Sequence, residues 1–182
     1  MISDKSLYAS FLEGDRVSFE ELVLRHRHGM VYFLMQYVKS PETAEDLSQE
    51  VFAYIFVNPE RYCQDYAFKT YLYMLGKRRA IDYIRKETRY EKIPLEESMI
   101  TDSSSLEESI YRRKDATELR KHILELSIED QKVITLMDLN GLSIAETAMV
   151  MGKSVVSVKV QSHRAKKRLK KIMLNGGFSY EV

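Results

Sequence analysis

An all-α fold, two small helical domains joined by a flexible linker with a helix-turn-helix in the second, follows from three observations on the 182-residue chain. Apolar residues recur at helical spacing along most of the sequence, and no strand-like alternation competes with them. Residues that cap helices stand where the apolar pattern begins: Ser40 before Pro41, and Ser143 with Glu146 three positions on. From Lys92 to Ser109 the composition turns to proline, serine and acids, KIPLEESMITDSSSLEES, which suits a tether better than a packed element. The expected organisation is a first domain over 1–90, an acidic linker over 91–112, a second domain over 113–175 and a short tail over 176–182.

In chain order, a first short helix is expected from Ser3 to Glu13, with Leu7, Phe11 and Leu12 inward and Gly14 as its stop. A second opens at Ser18, where Glu21 completes a capping box, and runs to about Lys39 with Phe19, Leu22, Val23, Val31, Leu34 and Val38 inward. The third starts at Ser40–Pro41 and buries Ala44, Leu47, Val51, Tyr54 and Ile55. That leaves Asp46, Gln49, Glu50 and Ala53 along one exposed edge. Asn58 and Pro59 break the chain, and residues 60–65 read as a loop.

The fourth helix, Tyr66 to Lys86, interleaves Tyr66, Phe68, Tyr71, Tyr73 and Tyr83 with Lys69, Lys77, Arg78, Arg79, Arg85 and Lys86. Two readings of these rings stand side by side: core packing, or a stacking platform for unpaired bases with cations on the backbone. After the linker, Leu119, Ile123 and Leu126 pattern one helix and Val133, Ile134 and Met137 another, and Gly141 turns the chain. Next come a short helix opened by Ser143, a break at Gly152 and Lys153, a second cap at Ser154, and a longer helix with Val158, Ala165, Leu169 and Ile172 inward.

Charge gives this last hairpin a task. The net charge is only +1, yet no Asp or Glu occurs from Thr147 to Tyr180, while Lys153, Lys159, Arg164, Lys166, Lys167, Arg168, Lys170 and Lys171 crowd together. Such crowding costs stability unless a polyanion is the intended neighbour. A helix of this kind places its first turns in the major groove and later residues against phosphates. Lys159, His163 and Arg164 are therefore expected at base edges, and Ser154, Ser157, Lys166 and Lys167 at phosphates.

Other functions find little support. The single cysteine, Cys63, allows neither an internal disulfide nor a Cys/His zinc pattern, and fits a loop or core position in a reducing cytoplasm. His26 and His28, two apart on a helix, point in different directions and read as surface or packing residues. No stretch has the apolar length of a membrane span, and the first residues lack the pattern of a signal peptide. Phosphate-cradling glycine loops, paired catalytic carboxylates and deaminase signatures are missing, so neither an enzyme nor a cofactor nor a small-molecule substrate is expected.

The order of motifs resembles the bacterial sigma factors of the extracytoplasmic-function (ECF) type. AEDLSQEVF, Ala44 to Phe52, is similar to the family's A-E-D-x-x-Q-E-x-F segment. FKTYLYMLGKRRAIDYIRK from Phe68 is similar to F-R-x-W-L-x-x-I-A-x-N-x-x-x-D-x-x-R, and the hairpin to S-x-x-E-x-A-x-x-x-G-x-S-x-x-(S/T)-V-K-x-x-x-x-R-A. The resemblance implies a subunit that binds core RNA polymerase, directs it to promoters and helps open the duplex. Asp46, Gln49, Glu50 and Phe52 would meet the polymerase, with beta-prime and beta as partners. Gln64, Lys69, Tyr71, Lys77, Arg78, Asp82 and Arg85 would hold the melted minus-ten strand, and the second domain would read the minus-thirty-five element. A membrane-linked anti-sigma factor is a further implied partner. Three positions depart from the pattern: Tyr71 for Trp, Arg78 for Asn, and Ser162 for an inward Leu or Ile. The competing reading is a stand-alone helix-turn-helix regulator, which predicts tight operator binding without polymerase.

Overall fold

A computed structural model of the chain describes residues 2–62, 65–90 and 119–175. The expected linker and tail, and Cys63 and Gln64, lie outside the described residues.

The first unit is built from α1 (Asp4–Leu12), α2 (Arg16–Leu34), α3 (Pro41–Val57), a 3-10 turn (Pro59–Arg61) and α4 (Phe68–Tyr90). Ser3 caps α1, and Ser40 caps α3 by accepting from the Thr43 amide, with Pro41 at the first helical position. The start of α2 differs from expectation: Asp15 caps it, accepting from the Val17 amide, and Ser18 is buried one turn in, its hydroxyl donating to the Asp15 carboxylate at 2.6 Å. Likewise Leu12 is exposed and Tyr8 takes the inward place, its hydroxyl donating to the Pro59 carbonyl at 2.8 Å. Leu22, Phe33, Leu34, Ala44, Val51, Ile55 and Leu72 are fully buried where these helices meet.

The second unit comprises a helical stretch over 119–124 (α5), α6 (Ile128–Ile134) running into a π-helical turn (Thr135–Leu139), α7 (Ile144–Met151) and α8 (Val155–Asn175). Ile123, Leu126, Ile134 and Ala165 form its own small core, with Leu119, Leu169 and Ile172 packed around them.

The two units do not stand apart. Leu136, Leu142 and Val150 of the second join the core of the first, and α7 lies against α4. Gly29 of α2 permits the closest approach: a Cβ there would stand 2.1 Å from the Asn140 Oδ1 and 2.7 Å from the Tyr73 hydroxyl. Polar contacts flank this seam. Gln36 Nε2 donates to Thr135 Oγ1, Lys132 sits 4.0 Å from the centre of the Tyr37 ring, and Arg120 lies over Tyr32 at 5.6 Å.

Candidate nucleic-acid interface

The hairpin of α7 and α8 is rigid because both its helix starts and the turn between them are satisfied. Ser143 and Glu146 exchange hydrogen bonds as a capping box, and Gly152 closes α7 at φ +69°, a left-handed conformation costly to any side chain with a Cβ. Burial alone would raise the pKa of Glu146, but the bonds from Ser143 outweigh it and hold the carboxyl below its ordinary range. Ser154 accepts from the Ser157 amide at the start of α8.

Helix α8 buries Val158, Ser162 and Ala165. Ser162, the departure from an apolar residue, is thus inward as its position requires. Ion pairs anchor the flanks: Lys153 to Glu129, Lys166 to Asp138 at 2.7 Å, and Arg168 to the buried Asp130, which Gln161 also approaches at 3.4 Å. Ser154, Ser157, Lys159, His163, Arg164, Lys166 and Lys167 are all exposed. Among the described residues, Lys159, Arg164 and Lys167 form no ion pair, so these cations, with His163 beside them, are left for something else.

On α4 the expected strand-holding residues divide into two groups. Arg78 and Arg85 are exposed and flank Asp82 at 4.0 and 3.9 Å, a ladder open to solvent. Tyr71 is half-buried, its ring 5.2 Å from that of Tyr62. Lys69 and Lys77 instead turn to the second unit. Lys69 Nζ donates to the Asn140 carbonyl at 2.9 Å, and Lys77 Nζ to the Val150 and Met151 carbonyls at 3.0 and 2.9 Å, where it satisfies the C-terminal end of α7. Thr70 adds a bond to Glu146 at 3.1 Å. Burial lowers the pKa of Lys77 below the usual lysine value. The open choice over the rings resolves by position: Phe68 and Tyr73 are core, Tyr66 is exposed, and Tyr71 and Tyr83 lie between.

Asp46, Gln49, Glu50 and Ala53 share one exposed edge of α3. Phe52 points inward and is only 6% exposed, but it lines a groove of about 400 Å³ between α2 and α3 together with Val23, Val31, Ser48 and Gln49. The α2 side of that groove, with Arg27 and His28, has one signal in the sequence, the apolar pair Val23 and Val31, which helical spacing alone places in the core. His26 is a packing residue, bonded to Asp4 at 2.7 Å. Among the described residues, no cluster of three or more His, Cys, Asp or Glu could hold a metal ion, and no helix is long and apolar enough to cross a membrane.

A four-helix unit with an acidic edge, packed beside a capped helix-turn-helix with a cationic outer face, has the features of a two-part DNA-binding protein. Residues 22–90 match the family model of Sigma-70 region 2, and residues 116–169 that of Sigma-70, region 4. The ECF RNA polymerase sigma factor SigM of Mycobacterium tuberculosis is 25% identical over 177 residues, covering 96% of this chain and 88% of that protein. RNA polymerase sigma factor YlaC of Bacillus subtilis is 27% identical over 161 residues, 87% of this chain and 93% of its own. Among solved structures, CnrH in complex with the cytosolic domain of CnrY superposes with a TM-score of 0.62 at 20% identity, over 93% of this chain and 96% of that one. The sigma factor RpoE of Bartonella quintana, in complex with the anti-sigma factor NepR, gives 0.61 at 20% identity, over 85% and 96%. The chain belongs to the sigma-70 family as an ECF-type RNA polymerase sigma factor, a protein that directs RNA polymerase to promoters.

Proposed function

We propose a division of labour within that role. The α3 edge of Asp46, Gln49 and Glu50, with the groove that Phe52 lines, docks on the beta-prime subunit of core RNA polymerase, in which beta is the other partner. Gln64 and the α4 residues Lys69, Tyr71, Lys77, Arg78, Asp82 and Arg85 hold the unpaired minus-ten strand. Helix α8 reads the minus-thirty-five duplex, with Lys159, His163 and Arg164 at base edges and Ser154, Ser157, Lys166 and Lys167 at phosphates. The observation that carries this reading is the exposed cationic face of α8, held by ion pairs on its flanks and free of acid along its length. Residues 1–90 and 113–175 act as the two functional domains, 91–112 as the connection and 176–182 as a tail.

The chain is no enzyme in this scheme and takes no cofactor: the polymerase makes the RNA, and bases held by α4 offset the stacking lost on melting. Its place of work is the cytoplasm. An anti-sigma factor is a further proposed partner, supported by NepR in complex with RpoE, and a membrane link for it is supported by the cytosolic domain of CnrY bound to CnrH.

The seam adds a condition. Lys69 and Lys77 cannot serve the Asn140, Val150 and Met151 carbonyls and a DNA backbone at once, so strand capture by α4 requires the two units to separate. Binding to polymerase, which places the units on different surfaces, supplies that separation. Transcription in vitro across genomic DNA, with core polymerase and the purified chain, tests the assignment. Defined start sites that depend on the chain are expected, together with weak gel shifts by the chain alone; tight operator binding without polymerase would replace this reading by that of a stand-alone regulator.

A further inference from the structure

In the first turns of α8, two side chains on the outward face are neither charged nor polar. Successive residues turn about 100° around a helix. Val156 and Val160 lie two residues on either side of the fully buried Val158, so both stand on the opposite side of the helix from the core. They are 72% and 44% exposed, one turn apart, with His163, Arg164 and Lys167 continuing the same stripe. The pairs Arg168–Asp130 and Lys166–Asp138 fix the rotation of the helix, so the valines cannot turn inward.

Two exposed β-branched residues in a cationic stripe call for an apolar surface inside a polyanion. The major groove offers one, the 5-methyl group of thymine, which is also what separates an A·T pair from the others by apolar contact. We propose that Val156 and Val160 are specificity residues that read thymine methyl groups in the upstream duplex. The inference rests on the assignment of α8 to that duplex. The valines are about 6 Å apart along the helix axis, roughly two base steps, so the two methyls belong to thymines within about two base pairs of each other, on either strand.

The test uses the full chain with core polymerase. Duplexes are selected from a library randomised upstream of the start site, and each thymine of the enriched sequence is then replaced singly by deoxyuridine, which lacks only the methyl. Two replacements should each weaken binding about fourfold, the effect of one buried methyl-sized group. Val160→Ala should abolish the response at one of these positions and Val156→Ala at the other, while Val160→Thr, which keeps a methyl, retains it. Lys159→Ala should weaken thymine and uracil duplexes alike. Equal binding of thymine and uracil duplexes would overturn the proposal while leaving the α8 assignment intact, as would valine variants that lose affinity equally for both. Wild-type chain that dimerises where Val156→Ala stays monomeric would overturn it too. Failure to enrich any upstream sequence would remove the underlying assignment as well.

Discussion

Gly29→Ala should force the two units apart without touching a residue assigned to DNA or polymerase. The new Cβ would stand 2.1 Å from Asn140 Oδ1, about 1.3 Å short of ordinary contact at 3.4 Å, and 2.7 Å from the Tyr73 hydroxyl. Asn140 has little room to yield, because its Nδ2 donates to the Thr135 carbonyl at 2.7 Å and its own carbonyl holds Lys69. Overpacking of this kind costs about 1–3 kcal/mol; the share from Asn140 falls only on the closed arrangement, while the clash with Tyr73, on α4 of the same unit, persists in both. Replacing a helical glycine by alanine meanwhile favours α2 by about 1 kcal/mol whether the units are closed or open. The Asn140 share, at most about 3 kcal/mol, should therefore lower the closed population relative to the open one by up to about 150-fold, with no loss of helix. Dyes on cysteines at Glu20 and Asn175, in a Cys63→Ser background, report the separation by energy transfer. The same protein, without polymerase, should bind a fluorescent single-stranded oligonucleotide more tightly as Lys69 and Lys77 are released. Unchanged transfer and unchanged strand affinity, with a lower melting temperature, would refute the idea that the seam controls access to α4.

Asp46→Ala with Glu50→Ala should weaken association with core polymerase about tenfold, as interface anchors do, and leave duplex recognition intact; unchanged affinity in a pull-down titration would contradict the docking edge. Lys159→Ala with His163→Ala should lower transcription from the cognate promoter about 5- to 150-fold while core binding persists, and loss of core binding would contradict the division of labour. Arg168→Ala strands the buried Asp130 carboxylate; because the arginine itself is largely exposed, the cost is about 1–3 kcal/mol, seen as a fall of several degrees in the melting temperature. Hydrogen bonds from Lys153 and Lys132 hold Glu129 below its ordinary 4.5, and the Ser143 bonds do the same for Glu146. Both therefore contribute stability that is complete above about pH 4.5 and lost as pH falls through their lower folded-state values. Thermal melts between pH 6 and 3 should show this, and Glu129→Gln should flatten part of the slope.

What could be read from the sequence was whatever is encoded within one turn or one helix face. Ser40–Pro41, the Ser143–Glu146 box and the Gly152 stop all place their helices correctly, since each acts on amides or carbonyls three or four residues away. The α8 stripe and the exposed α3 edge follow from periodicity alone. Ser18 misled because Ser-x-x-Glu satisfies the capping pattern, whereas Asp15, three residues earlier, also offers an oxygen and lets one more turn form. Tyr73 and Tyr71 have the same chemistry but different neighbours, and only the packing of α2 on α4 tells them apart. Least legible was the seam: Lys77 and Val150 lie 73 positions apart, and a lysine that ends another helix looks the same in sequence as one waiting for a phosphate.

The π-helical turn at Thr135–Leu139 carries a heritable consequence. Such a turn accommodates one residue more than the α-helix it interrupts, and here it lets Leu136 and Asn140 reach α2 together. Deleting that residue would shift everything after it by about 100° in phase and carry Asn140 away from Gly29. A single-codon loss in this stretch is thus enough to dissolve the clasp between the halves.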